Sequence, residues 1–158
     1  MTSTGPREAD ALLSPLIVRA HHTAVSVRDF DGALNFFTNI VGMRIEGEMD
    51  QRREENLGPV TGVKDPTIRW AMLELGGFRI ELFRYYQPEG KRHAINQNDI
   101  GLTHLCFQVS NADEAYERIT KAGYRSLSKP LELRSGASKA FYCEGPEGII
   151  VEFLELRS

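Results

Sequence analysis

His22-Thr-Ala-Val-Ser-Val27 and His104-Leu-Cys-Phe-Gln-Val109 are the two stretches that decide the fold, because they open two copies of one pattern. When the two histidines are aligned, the matches continue without a gap through Val27/Val109, Asp31/Asp113, Ala33/Ala115 and Thr38/Thr120. A glycine follows each match, one position out of step (Gly42 and Gly123). Self-similarity of this kind predicts a duplicated structural unit.

Each copy begins with a pattern typical of a strand and then changes to a helical period. Apolar and β-branched residues dominate 17–27 and 102–109, which predicts a strand in each half. Apolar residues then recur at helical spacing. Asp29 and Asn111 are placed as N-caps, and Gly42 and Gly123 are placed to end the helices in a left-handed turn.

The two halves also end alike, with a turn followed by an apolar run that contains a glutamate. Glu81 stands four residues after Gly77, and Glu152 stands four residues after Gly148. Strand-like runs, 68–75 and 140–143, precede these turns. Each half therefore reads as strand, helix and two or three strands, which is a duplicated βαββ(β) module of the α+β class.

Two segments lie outside the repeat. Residues 46–66 are charged and rich in Gly and Pro, which predicts a long loop with at most a short strand. Residues 87–101 are predicted to link module one (17–86) to module two (102–156), within a single domain spanning 17–158. Residues 1–16 are expected to form a flexible N-terminus.

Composition narrows the class of protein. The 158 residues are 41% hydrophobic and 26% charged, which is typical of a globular protein. The net charge of −3 and the lack of a basic run argue against nucleic acid as a partner. No apolar run is long enough for a membrane span. The two cysteines, Cys106 and Cys143, form no metal-type pair, so we expect a cytoplasmic protein with reduced thiols.

Four residues occupy equivalent places in the repeat: His22, Glu81, His104 and Glu152. If the halves pack with pseudo-twofold symmetry, their side chains converge at the axis, and strands would hold them rigidly. Two imidazoles and two carboxylates form a nitrogen and oxygen set suited to one divalent ion of Mn, Fe, Co, Ni or Zn. Six-coordinate ions would keep two positions open for substrate. The repeat register selects His22 rather than His21.

Other residues near these positions have two interpretations each. Cys106 lies on the face of His104, either lining the site or acting as a small buried thiol. Trp70, Met72 and Phe83 either form the wall of a cavity or pack in the core. Glu54 and Glu55 either act as a base that is not bound to the metal or belong to a solvated charged loop.

Four further residues are candidates for contact with the substrate. Tyr142 could donate a hydrogen bond, and three arginines could contact an anionic substrate: Arg69, Arg79 and Arg84.

The quoted histidine stretches, together with Val41-Gly42-Met43 and Gly148-Ile-Ile-Val-Glu-Phe153, resemble the vicinal oxygen chelate superfamily. This superfamily includes glyoxalase I, methylmalonyl-CoA epimerase, extradiol dioxygenases and antibiotic-resistance proteins. The resemblance covers about residues 17–156. It implies two tandem βαβββ modules that form a cupped, mostly antiparallel sheet around a metal ion held by His22, Glu81, His104 and Glu152.

The resemblance further implies a divalent-metal-dependent lyase or isomerase, glyoxalase-like or epimerase-like. Such an enzyme acts on a small substrate with vicinal oxygens through a metal-stabilised enediolate or enolate, with Glu152 and Glu81 as catalytic bases. Ser26 and Tyr85 stand where glyoxalase I tends to carry Arg and Asn for glutathione. An extradiol-type Fe(II) dioxygenase and a non-catalytic resistance protein remain alternatives. Superfamily members are commonly homodimers, so a homodimer is expected, with the site inside one chain or between two.

Overall fold

The computed structural model describes residues 16, 18–94 and 96–157, so the N-terminal segment 1–16 lies outside it except for Leu16. Module one contains β1 (Thr23–Ser26), α1 (Phe30–Asn35) with a π-helical turn (Phe36–Ile40), β2 (Arg44–Arg52), α2 (Leu57–Thr61), β3 (Thr67–Leu75) and β4 (Phe78–Gln87). Module two contains β5 (Leu105–Gln108), α3 (Ala112–Lys121), β6 (Leu131–Leu133), β7 (Ser138–Glu144) and β8 (Ile150–Leu156), with 3-10 turns at Arg134–Gly136 and Pro146–Gly148.

Both modules build the same four-stranded sheet. The strand orders are β1-β4-β3-β2 and β5-β8-β7-β6. In each sheet the first strand pairs parallel to the last one, and the other pairs are antiparallel. The register is also the same, since Ala24 faces Glu81 in module one and Cys106 faces Glu152 in module two. The predicted tandem βαβββ arrangement of the α+β class is therefore confirmed.

The helix boundaries follow the cap residues that the sequence predicts. The Asp29 carboxylate accepts a hydrogen bond of 3.0 Å from the backbone N–H of Gly32, and the Asn111 side chain accepts one of 3.0 Å from Glu114. Gly42 and Gly123 adopt φ angles of 90° and 92°, a region that glycine enters without steric cost. Cap residues close in sequence thus set where the helices begin and end in both modules.

The prediction of a long loop at 46–66 is wrong. Most of its first part belongs to the nine-residue strand β2, and α2 follows. Most β2 residues are exposed, since β2 is an edge strand that pairs only with β3. Its alternation is weak, because Ile45 and Met49 are its only large apolar residues and Gly47 stands between them. The two opening strands are also shorter than predicted. They begin at Thr23 and Leu105, one residue after each histidine.

The helices cover one face of each sheet and leave the other face open. Phe30, Ala33 and Phe37 are buried against Leu73 and Leu82, in a core that continues into module two. Alternate residues on the same strands point to the opposite side, which we call the open face. No helix among the described residues is long and apolar enough to cross a membrane.

Contacts between the modules tie the two sheets to each other. The Glu147 carboxylate, from a 3-10 turn of module two, accepts hydrogen bonds from the backbone N–H groups of Arg28 (2.8 Å) and Asp29 (2.7 Å) in module one. The rings of Phe36 and Tyr124 meet edge to face, 4.9 Å apart. The relative position of the two modules is thus set by polar as well as apolar contacts.

Candidate metal and catalytic site

The first His–Glu pair lies on the open face of module one. Glu81 is in the middle of β4, and His22 comes just before β1, two residues ahead of the partner of Glu81 in the register. His22 Nε2 and Glu81 Oε2 are 2.9 Å apart. The Nδ1 atom of His22 lies 2.8 Å from Nδ1 of His21. His22, and not His21, therefore faces the carboxylate.

The second pair repeats this geometry on module two. His104 precedes β5 and Glu152 lies on β8, and Nε2 and Oε2 are 3.3 Å apart. The Nδ1 atom of His104 lies 3.1 Å from Oε1 of Gln97 and 3.1 Å from Oγ1 of Thr103. Each ligand-type histidine thus has a side chain at Nδ1 and a carboxylate at Nε2.

Glu81 is surrounded by aromatic and cationic groups. The indole N–H of Trp70 donates a hydrogen bond of 2.6 Å to Glu81 Oε1. The Arg52 guanidinium lies 5.9 Å from the centre of the Trp70 ring. The pKa of Arg52 is raised, first by its bond to Glu54 and further by the negative charge of Glu81. Burial, followed by the charge of Glu81, raises the pKa of Tyr85.

Glu152 is surrounded instead by a hydroxyl and a thiol. Tyr142 faces Glu152 across the β7–β8 pair, and its ring lies edge to face with His104 at 5.3 Å. Burial, followed by the negative charge of Glu152, raises the pKa of Tyr142. Partial burial, followed by the neighbouring Glu152 carboxylate, raises the pKa of Cys106 to about 11. Cys106 therefore borders the site as a protonated thiol.

The distances inside each pair fit two adjacent ligands of one ion. Ligands bound at about 2.1 Å and at right angles to each other lie roughly 3 Å apart, which is close to both Nε2–Oε2 distances. A partner at Nδ1 is also typical of metal-binding histidine, because it fixes the ring and its tautomer. In the part of the chain that the structure describes, however, no three His, Cys, Asp or Glu side chains group closely enough to hold an ion. One chain thus presents two pairs rather than one group of four.

The remaining candidate residues are engaged elsewhere. Arg79 bonds to Glu46 (2.6 Å), and Arg69 bonds to Asp31 (2.8 Å) and packs over the Phe30 ring. Arg84 lies over the ring of Tyr86. Glu54 and Glu55 line a cavity of about 850 Å³ beside α2, which is bordered by none of the four ligand candidates. None of these arginines contacts either His–Glu pair.

Two contacts to the site were not predicted. The bond from Trp70 to Glu81 joins neighbouring strands, and the sequence marked Trp70 only as a wall or core residue. Gln97 lies in the linker, where nothing in the amino-acid pattern connects it to His104 seven residues later. Both residue types form side-chain hydrogen bonds, but their positions in the sequence do not indicate which ligand candidate each one contacts.

Comparisons with known proteins place the chain in a family. A sequence model described as the Glyoxalase/Bleomycin resistance protein/Dioxygenase superfamily matches residues 19–153. A 2-epi-5-epi-valiolone epimerase from Actinomyces sp is 30% identical over 149 residues, 90% of this chain and 81% of the relative. A lactoylglutathione lyase from Salmonella typhimurium is 25% identical, over 89% of this chain and 94% of the relative.

Solved structures agree with this placement. A glyoxalase family protein from Bacillus cereus superposes with a TM-score of 0.81 at 27% identity, covering 90% of this chain and 96% of the other. The family match extends over both His–Glu pairs and both modules. The chain therefore belongs to the glyoxalase/bleomycin resistance protein/dioxygenase superfamily.

Proposed function

We propose that this protein is a divalent-metal-dependent lyase or isomerase that moves a proton at a carbon beside a carbonyl, in a small substrate with vicinal oxygens. The observation that carries the proposal is the presence of two His–Glu pairs, in identical register, on the open faces of the two sheets. Among lyases and isomerases, epimerisation comes first, because the relative at 30% identity is named an epimerase.

Four residues would hold the metal: His22, Glu81, His104 and Glu152. A divalent ion there supplies a Lewis acid that makes the neighbouring C–H of a bound carbonyl compound more acidic. The native ion is one of Mn, Fe, Co, Ni or Zn, all of which accept nitrogen and oxygen ligands. Gln97 Oε1 accepts a hydrogen bond from His104 Nδ1–H, and this bond would leave Nε2 free to bind an ion and fix the orientation of the ring.

Glu152 is the residue we assign to proton transfer, with Glu81 serving the opposite face. An epimerase must remove a proton from one face of a carbon and return it to the other, and two carboxylates in pseudo-symmetric places suit that task. Both side chains are mostly shielded from solvent, with 17% of Glu81 and 12% of Glu152 exposed. Shielding limits competition from water for the carboxylate oxygens.

A second copy of the chain would complete the metal site. Because one chain holds its two His–Glu pairs apart, we propose a homodimer in which the first pair of one copy faces the second pair of the other. Four protein ligands then meet at each of two equivalent sites. With its two cysteines free, the protein is compatible with the reducing cytoplasm that we expect for it.

Metal content tests the first part of this proposal. Purified protein, stripped and reloaded with each candidate ion, is expected to retain about one ion per chain by elemental analysis, and His104→Ala is expected to lose it. Retention of iron alone would favour a dioxygenase. No stoichiometric metal under any loading would contradict the proposal and leave a binding protein.

Proton exchange tests the second part. Hydroxyacetone, a small compound with vicinal oxygens, is incubated in D₂O with the loaded protein, and deuterium at carbon is followed by NMR. Glu152→Gln is expected to slow exchange by about 10²- to 10⁴-fold, because an amide cannot act as a base. Metal retention without any exchange by the unmodified protein, on hydroxyacetone or on larger hydroxyketones, would contradict the assignment to proton transfer.

A further inference from the structure

Trp70 makes a polar contact that distinguishes the two candidate carboxylates. Its indole N–H donates to Glu81 Oε1 at 2.6 Å, while Glu81 Oε2 lies 2.9 Å from His22 Nε2. Each oxygen of Glu81 therefore has its own partner. A carboxylate held at both oxygens, by an indole on β3 and by an imidazole just before β1, has little freedom to rotate or withdraw.

The strand neighbours hold the indole in place. Trp70 lies on β3, beside the Met72–Glu81 register pair, on the open face. Gly47 on β2 leaves room for the ring, because a Cβ atom there would lie 3.2 Å from Trp70 Cη2 and 3.3 Å from Cζ3. The Arg52 guanidinium lies over the same ring. The indole is thus packed between its strand neighbours with its N–H directed at Glu81 Oε1.

In module two, no tryptophan occupies the position equivalent to Trp70. Tyr142 faces Glu152 as Met72 faces Glu81, so the position equivalent to Trp70, two residues earlier on the strand, is Ala140. Glu152 pairs instead with Tyr142 on β7 and with Cys106 on β5. A hydroxyl rotates and either donates or accepts, whereas an indole N–H is fixed in the ring plane and only donates. Glu81 therefore has an indole donor of fixed direction that Glu152 lacks.

We infer that Trp70 is a positioning residue that fixes the direction of the Glu81 carboxylate at the candidate site. The inference rests on the proposed metal site and adds a role for a residue outside the four ligand candidates. Glu81 then serves as a ligand of constant direction. Trp70 acts only through Glu81.

The affinity for Mn²⁺, measured by titration with the free ion detected by EPR, tests this role without relying on activity. Trp70→Phe removes the N–H and keeps an aromatic ring, so we expect Mn²⁺ affinity to fall about 10-fold, as is typical for loss of a group that orients a ligand. Leu75→Met, on the same strand but paired with Phe78 at its far end, is the control and is expected to bind Mn²⁺ like the unmodified protein.

A double-variant cycle separates positioning from packing. If Trp70 acts through Glu81, then Trp70→Phe in a Glu81→Ala background, where no acceptor for the indole N–H remains, causes no further loss of Mn²⁺ affinity. At saturating Mn²⁺, Trp70→Phe should also retain most of the hydroxyacetone exchange rate, whereas Glu152→Gln should not. An equal loss of affinity in both backgrounds, or unchanged affinity in Trp70→Phe, would overturn the inference.

Gly47→Ala provides a second variant should Trp70→Phe fold poorly. It keeps the indole but forces the ring to shift, so a smaller loss of Mn²⁺ affinity is expected, together with a change in emission from Trp70, the single tryptophan of the chain. Unchanged affinity despite a shifted emission would overturn the inference. Absence of Mn²⁺ binding by the unmodified protein would instead contradict the proposed function itself.

Discussion

The Cys106 thiol lies on the open face of module two, beside the Glu152 carboxylate. A thiol is nucleophilic only as the thiolate, and a pKa of about 11 keeps Cys106 protonated at neutral pH. The thiolate fraction therefore rises about tenfold with each pH unit until the pH approaches that pKa. Cys106 is thus unsuited to act as a nucleophile, although it is only partly shielded by its neighbours and remains accessible to solvent.

Alkylation measures this property directly. We expect iodoacetamide to modify Cys106 slowly at pH 7, with a rate that rises steadily toward pH 10, as followed by mass spectrometry. Glu152→Gln removes a negative charge and lowers the pKa of Cys106, so the rate at a given pH should increase. Cys143, which is buried and whose pKa is raised to about 12 by burial, is the internal control. Modification of Cys106 at pH 7 as fast as a free thiol would contradict this prediction.

At the scale of elements, the start of helix α3 joins local capping to a distant strand. Asn111 accepts from the backbone N–H of Glu114, and the Glu155 carboxylate of β8 accepts from the backbone N–H of Ala112 at 2.8 Å. The bond to Ala112, followed by the one to Arg157, lowers the pKa of Glu155. Any stabilisation from Glu155 is present above its unfolded pKa and is lost as the pH falls through the lower folded one.

Removing the cap should therefore destabilise the protein measurably. We expect Asn111→Ala to lower the free energy of unfolding by about 1 kcal/mol. For a domain of this size that corresponds to a fall in Tm of about 2–4 °C, measurable by circular dichroism. Asn111→Asp, which also caps helices well, is the control and should unfold near the Tm of the unmodified protein. A similar fall for both variants would show that the cap contributes little.

At the scale of the whole molecule, the separation of the two His–Glu pairs supports the proposal that each metal site forms between two copies of the chain. Mixing two variants, each lacking one histidine, tests this proposal. His22→Ala and His104→Ala each damage every site in a homodimer. If sites form between copies, a mixed dimer contains one site with both substitutions and one site with none. We expect a mixture of the two variants, refolded together, to regain metal that neither holds alone, measured by elemental analysis after gel filtration.

A doubly substituted chain, His22→Ala with His104→Ala, is the control for this experiment and should regain nothing when mixed with itself. If the metal site forms inside one chain, both partners of every mixed dimer carry a damaged site, and no metal returns. That outcome would contradict the proposed arrangement between copies while leaving the metal site itself in place.

The amino-acid sequence by itself determined the duplication, the two helix starts and stops, and the equivalence of the four candidate ligands. These features are local or repeated: a cap residue such as Asn111 acts within one helical turn, and Gly123 adopts its left-handed turn whatever surrounds it. The positions of His22 and Glu81 were evident because the same pattern appears again at His104 and Glu152.

Only the tertiary structure decided which of these residues meet. Strand β2 escaped prediction because this exposed edge strand carries only two large apolar residues, Ile45 and Met49, among charged ones, and because it pairs only with β3, which is distant in sequence. The parallel pairing of β1 with β4, and of β5 with β8, joins each histidine to the glutamate of its own module and keeps the two pairs apart. The contact of Trp70 with Glu81 likewise depends on strand register and on the space left by Gly47, which are long-range properties that no single stretch of sequence contains.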